Sequence, residues 1–201
     1  MGLLNVLKAN WEGKVGQTVG AKWKNKSTIR TYTKPSNPKT AAQQSVRSVF
    51  ASMTSFIALF ADSIKYLSAL DTSGMSVRNA IIKLNKDQIE AGTFDKSSLE
   101  ISKGGLQAIN GFTATAAAGK VNASWTAPTA VNFTNNAKLI LVAVQADSGI
   151  VEVAEAAASA GSLAGTLTFE AGTVDVYAYY LDKRGSNKVA SISTYAEVTI
   201  S

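Results

Sequence analysis

The sequence contains no cysteine and no histidine, and only 3 of its 201 residues are proline. Without cysteine there can be no disulfide, thiolate metal site or thiol nucleophile. Without histidine the chain lacks the usual general base at neutral pH and the commonest metal ligand. Charged residues are also scarce, at 17% of the chain. We therefore expect a protein that is not an enzyme, that needs no cofactor or metal, and that has a structural or interaction role.

The formal net charge of +6 is distributed unevenly along the chain. Residues 1–50 hold nine basic residues and one acidic residue, whereas residues 104–201 hold five basic and seven acidic residues. Such an asymmetry suggests an anionic partner or head-to-tail self-association. The carboxylate pairs Asp87/Glu90 and Glu152/Glu155 have small or polar neighbours that would not raise a pKa, so we expect them on the solvated surface.

The ends and apolar runs of the chain predict neither export nor membrane insertion. The first residues lack the basic and apolar regions of a signal peptide. The charge-free run 48–61 contains several Ser and Thr, and it is shorter than the roughly 20 residues that a membrane-spanning helix needs. We expect a chain with no membrane span that is found in the cytoplasm before assembly.

The N-terminal part of the chain predicts a β-hairpin. Residues 13–34 alternate between apolar and polar side chains, and Lys24-Asn25-Lys26 supplies a short polar turn. Ser36 or Asn37 would then cap a helix that has Pro38 in its first turn.

Apolar residues at alternating spacings of four and three predict an amphipathic helix of about 30 residues. These positions form a candidate assembly interface, and they are Val46, Phe50, Met53, Ile57, Phe60, Ile64 and Leu67. A second helix is predicted from Ser76 to about Lys86, since Val77, Ala80 and Ile81 recur at helical spacing.

The pattern changes to short β-strands after residue 104. Strands are predicted there at 109–115, 120–125, 137–145, 149–153, 162–169, 173–181 and 190–200. Residues 92–103, which precede them, are predicted to be a loop with one strand at 98–102. About seven short strands within residues 104–201 favour an immunoglobulin-like sandwich, and the absence of cysteine favours the fibronectin type III variety. The predicted fold class is α+β, with a basic hairpin and helical assembly domain at 1–103 and an all-β sandwich domain at 104–201.

Three motifs occur together and in order near the N-terminus. They are Gly13-Lys14-Val15-Gly16 continuing to Val19-Gly20 and Trp23-Lys24, then Ile29-Arg30, then Asn37-Pro38 continuing to Thr40, Gln43, Arg47 and Phe50. This order resembles an uncharacterised family of proteins of similar length from Bacteroidetes-type bacteria and phage-like sequence sets, which also end in an immunoglobulin-like region. The last motif also resembles segments of tailed-phage virion proteins. The resemblance implies a virion or self-assembling structural protein. Because the family has no established activity, it assigns no catalytic residues.

The basic hairpin is the strongest candidate for a binding site. Cationic and aromatic residues are interleaved there, a combination that suits nucleic-acid backbones and stacked bases. The candidate residues are Lys14, Lys22, Trp23, Lys24, Lys26, Arg30, Tyr32 and Lys34. The alternative interpretation is a hairpin whose lysines protect a strand edge and whose aromatic residues lie in a core or subunit interface.

Two main hypotheses about function follow. The first is a virion component, capsid- or tail-associated, that assembles as a homo-oligomer or with other virion proteins through the helical part and projects the sandwich. The second is a nucleic-acid-binding protein that uses the basic hairpin. A surface adhesin built on the sandwich is a third, which the lack of an export signal disfavours.

Overall fold

The computed structural model describes residues 12–23, 26–34, 36, 39–129 and 133–201. The described residues form mostly β-sheets, with three α-helices and an N-terminal hairpin. The sequence predicts the hairpin and the first two helices, but not the third. The chain divides into two compact units, residues 1–40 (unit 1) and 41–201 (unit 2). The boundary predicted between residues 103 and 104 is therefore wrong, because the helices and the C-terminal strands share one unit.

The described part of unit 1 contains three antiparallel strands in the order β1-β2-β3. They are β1 (Gly13–Val15), β2 (Thr18–Trp23) and β3 (Lys26–Thr31). A turn at Gly16 and Gln17 separates β1 from β2, and Gly16 adopts a φ of 58° that a residue without a Cβ tolerates well. This turn adds a third strand to the predicted two-stranded hairpin.

The helices of unit 2 are α1 (Ala41–Phe60), α2 (Val77–Leu84) and α3 (Lys86–Ala91). Helix α1 begins later than predicted and is shorter, since the chain continues as turns from Ala61 to Leu67. Helix α2 begins where predicted, because the Ser76 hydroxyl accepts a hydrogen bond from the Asn79 backbone N–H at 3.2 Å. The Asn85 amide donates to the carbonyl oxygens of Ile81 and Glu100, and so joins the helices to the following segment.

Two antiparallel sheets complete unit 2. One has the order β4-β5-β8, and the other has the order β10-β9-β6-β7, with β11 also paired to β9. The strands are β4 (Asn110–Ala117), β5 (Lys120–Thr126), β6 (Lys138–Gln145), β7 (Ile150–Ala157), β8 (Ser162–Ala164), β9 (Gly172–Arg184), β10 (Asn187–Ala190) and β11 (Thr194–Ile200).

Most predicted strands are present, with three differences. The strand predicted at 190–200 is split, because residues 191–193 interrupt it between β10 and β11. The strand predicted at 162–169 pairs only as far as Ala164. The strand predicted at 98–102 is instead a 3-10 turn, Lys96–Ser98, followed by a segment outside the sheets.

The central strands β6 and β9 are buried on both faces. On one face, Val176, Ala178 and Tyr180 pack in a core that also holds Trp125 from β5. On the other face, Tyr177 and Tyr179 pack in a second core with residues of α1. Unit 2 thus has three layers, namely the helices, the five-stranded sheet and the three-stranded sheet, and one core lies between each adjacent pair of layers. This double burial explains why no domain boundary separates the helices from the strands.

A glycine before β4 provides a sharp test of this packing. A Cβ on Gly104 would lie 2.3 Å from the Ala190 carbonyl oxygen, which accepts the Leu106 N–H at 3.0 Å. We expect Gly104→Ala to destabilise the protein by about 1–3 kcal/mol through overpacking. Gly105→Ala is the matched control, since its Cβ would have no atom within 4 Å. Urea unfolding measures both, and equal stabilities would contradict the packing described.

Candidate functional site

The strand register of unit 1 brings two candidate cations onto one face of the small sheet. Lys14 pairs with Val19, and Val19 pairs with Arg30, so the three residues form one cross-strand row. Tyr32 follows Arg30 by two residues, and the Lys14 Nζ lies 3.7 Å from its ring centroid. We call Lys14, Arg30 and Tyr32 the basic face. All three are exposed to solvent.

The register places Lys22 on the opposite face. Lys22 pairs with Ser27 and lies three residues after Val19 on β2, so the two side chains are on opposite faces. Val15 and Ile29 lie on the same face as Lys22. Val15 and Ile29 are 64% and 40% exposed. The sequence reasoning treated the lysines as one cluster, whereas the pleat divides them between two faces.

The remaining hairpin predictions have different outcomes. Lys34 is exposed and follows the end of β3. Lys24 lies outside the described residues, as do the side chains of Trp23 and Lys26. Their proposed roles in binding stay predictions.

Four residues of the predicted assembly interface are core residues. Met53, Ile57, Phe60 and Ile64 are completely buried in the core between the helices and the five-stranded sheet. Their prediction as assembly contacts is wrong, because the face of α1 that carries the first three, and the following turn that carries Ile64, already pack within their own unit. Leu67 is partly buried against the same core.

The same apolar stripe continues beyond this core. Val46 and Phe50 are 40% and 46% exposed. They are four residues apart and lie on the same face as Ile57, which follows Val46 by three turns and Phe50 by two. The first three turns of α1 therefore carry an exposed extension of its buried face.

An ion pair between a buried carboxylate and a partly exposed lysine joins β9 to the segment after α3, and sequence reasoning missed it. Asp175 is 1% exposed, and its Oδ2 lies 2.8 Å from the Lys96 Nζ. The Tyr195 hydroxyl donates to Oδ1 of the same carboxylate at 2.9 Å. Burial raises the pKa of Tyr177 and of Tyr195 further above the ordinary value for a phenol. One sequence signal could have revealed this ion pair: Asp175 is an acidic residue within the otherwise apolar run 174–181.

Two further buried acids hold loops. Glu152 is 3% exposed, and its Oε1 accepts hydrogen bonds from the Thr166 hydroxyl and from the backbone N–H groups of Thr166 and Leu167. The prediction that Glu152 is solvated is therefore wrong. Asp182 accepts from the backbone and hydroxyl of Thr134 and from the Arg184 Nε. Burial alone would raise the pKa of Asp182, but these hydrogen bonds outweigh it and lower the pKa.

The buried polar groups therefore act as structural contacts. Each of the three buried carboxylates accepts hydrogen bonds that attach a strand to a neighbouring segment. Within the described part of the chain, no cluster of three or more acidic residues could hold a metal ion. None of the helices described combines the length and apolarity required to cross a membrane.

These features define a mostly β protein with a helical layer and a separate basic hairpin. The chain belongs to a family of unknown function, DUF6266, whose model matches residues 10–195. The prediction of an uncharacterised family is confirmed at this level. Searches of curated proteins and of solved structures found no match.

The Lys96–Asp175 pair should matter more than an exposed pair. Lys96→Met leaves the buried Asp175 carboxylate without its cation, and we expect a loss of about 1–3 kcal/mol of stability. The control is Lys138→Met, which breaks the Lys138–Glu155 pair, whose side chains are 49% and 32% exposed. This change should cost less than about 1 kcal/mol. Equal losses in chemical denaturation would show that Asp175 does not depend on Lys96.

The contribution of Asp182 should depend on pH. Because its folded pKa is lowered, its stabilisation is present above the unfolded value of about 3.9 and is lost as the pH falls through the folded pKa. Asp182→Asn should therefore destabilise the protein by about 1–3 kcal/mol at pH 7 and by progressively less below about pH 4. Unfolding curves across this range test it, with the exposed Glu170→Gln as control. A difference that does not change with pH would contradict the assignment.

Proposed function

We propose that this protein is a non-enzymatic structural component of a phage or phage-like virion, associated with the capsid or tail. It assembles with copies of itself and with other virion proteins. The assembly part of this proposal rests on Val46 and Phe50, the exposed apolar residues at the start of α1. The resemblance of the motif from Asn37 to Phe50 to segments of tailed-phage virion proteins supports the virion part.

The occupant of the uncovered stripe is a second copy of this chain. Val46 and Phe50 are apolar and exposed, and α1 has one charged residue, Arg47, among its 20 residues. Two such helices can approach each other with little charge desolvation, which is the main cost of burying a polar helix surface. Packing Phe50 against the corresponding residue of another copy would extend the apolar contact that Ile57 and Phe60 already make within the chain.

In this proposal the two sheets of unit 2, one of which also carries the helical layer, form an immunoglobulin-like sandwich of the fibronectin type III variety. Strands β4, β5 and β8 form one sheet of this sandwich. The other sheet contains β6, β7 and β9, together with β10 and β11, which each pair with β9. This pairing corresponds to strands A, B, E and C, C′, F, G of such sandwiches. The buried Trp125, whose Nε1 donates to the Ala158 carbonyl at 2.8 Å, also supports the assignment.

Self-association through α1 is tested by one charge substitution. Wild-type protein should elute as an oligomer in size-exclusion chromatography with light scattering. Phe50→Asp should shift it toward the monomer, because an unpaired carboxylate would be buried at the contact. Leu167→Asp is the matched control, since Leu167 is similarly exposed, at 44%, on a loop of unit 2. It should leave the oligomer unchanged.

Two outcomes would contradict the proposal. A wild-type protein that stays monomeric at high concentration would remove the assembly role. A Phe50→Asp variant with the wild-type mass would remove α1 from the contact. The virion role is tested separately by mass spectrometry of purified phage-like particles from a strain that produces this chain, in which the chain should be a structural component.

A further inference from the structure

Unit 1 carries positive charge that the neighbouring sequence does not neutralise. Residues 13–61 contain eight basic residues and no acidic residue. Lys14 and Arg30 are exposed and flank Val19 in one cross-strand row. Two strand spacings of about 4.8 Å separate their backbones by about 10 Å. Cations this close on one face repel each other, so an anionic ligand that contacts both would be favoured.

An aromatic ring lies beside these cations. Tyr32 is 42% exposed, and the Lys14 ammonium sits 3.7 Å from its ring centroid. This cation–π contact holds the ring close to the sheet. An exposed ring next to two cations suits a single nucleic-acid strand, because phosphates contact the cations while a base stacks on the ring.

Unit 2 of a second copy supplies little excess negative charge for this face. Residues 41–201 contain 12 basic and 13 acidic residues, so unit 2 is nearly neutral. Asp175, Asp182 and Glu152 are buried and hydrogen-bonded. Several exposed acids already pair with lysines, namely Asp87, Glu90 and Glu155. The compensating charge is therefore best supplied by another molecule with a dense row of anions.

We infer that the basic face binds single-stranded nucleic acid, with Lys14 and Arg30 on backbone phosphates and Tyr32 stacked on a base. Lys22 lies on the opposite face and makes no contact with the bound strand. This inference goes beyond the structural role proposed above and does not depend on it, since the proposed self-association uses α1 in unit 2.

Fluorescence anisotropy of the full chain with a labelled thymidine oligonucleotide of about 15 nucleotides tests this inference. Binding should be strong at low salt and weaken steeply as salt increases. Lys14→Gln or Arg30→Gln should weaken binding at least about fivefold and reduce the salt slope by about 0.7, the value for one lost phosphate contact on a single strand. Tyr32→Leu should weaken binding about fivefold without changing that slope.

Two variants separate the charge of the basic face from general charge and from folding. Lys22→Gln removes one positive charge from the opposite face and should change the affinity by less than about twofold. Arg30→Lys keeps the charge and should retain most of the affinity. If Arg30→Gln loses binding only because unit 1 is disrupted, Arg30→Lys still reports whether a cation at this position is sufficient.

Three results would overturn the inference. The first is no binding at low salt. The second is an equal loss of oligonucleotide affinity in Lys22→Gln and Arg30→Gln, which would mean that binding depends on total charge and not on the basic face. The third is salt-sensitive self-association that Arg30→Gln abolishes while no oligonucleotide binds, which would make the face a contact between copies. None of these results depends on the Phe50 measurement, so failure here and failure of the proposed assembly role are distinguishable.

Discussion

The structure of unit 2 depends on the double burial of strand β9. Every residue from Val174 to Asp182 is buried, so both faces of this strand must be covered by other layers. Its tyrosines connect those layers: the Tyr177 hydroxyl donates to the Lys96 carbonyl, and the Tyr179 hydroxyl donates to the Leu67 carbonyl. On the other face the Tyr180 hydroxyl reaches the Thr126 carbonyl. Buried phenols need such acceptors, which fixes the position of the helical segments relative to the sheet.

The same constraint explains the buried acids. Asp175 and Asp182 lie at the two ends of the buried part of β9, where each must be compensated. Lys96 and Tyr195 compensate Asp175, while Thr134 and Arg184 compensate Asp182. These carboxylates therefore attach neighbouring segments to the central strand. Their hydrogen bonds make them part of the structural framework.

Unit 1 has a different organisation, and its surface is the more informative part for function. Its described strands are short and largely exposed, and the pleat separates Lys14, Arg30 and Tyr32 from Lys22. Periodicity alone could have predicted this separation once the turn at Gly16 was known. Without that turn, residues 13–23 read as one strand, and the partner of Lys14 could not be assigned. The register in turn depends on hydrogen bonds between strands, which a linear pattern does not specify.

The sequence by itself determined the kinds of elements, the approximate positions of most strands, the apolar stripe of α1 and the basic N-terminal region. These follow from local periodicity, turn residues and charge, which act over a few residues. Only the tertiary structure decided which apolar residues are buried within the chain. Met53 and Phe60 pack against their own sheet, whereas Val46 and Phe50 on the same stripe are left exposed. It also decided that helices and strands share one unit, because burial on both faces of β9 arises from contacts distant in sequence.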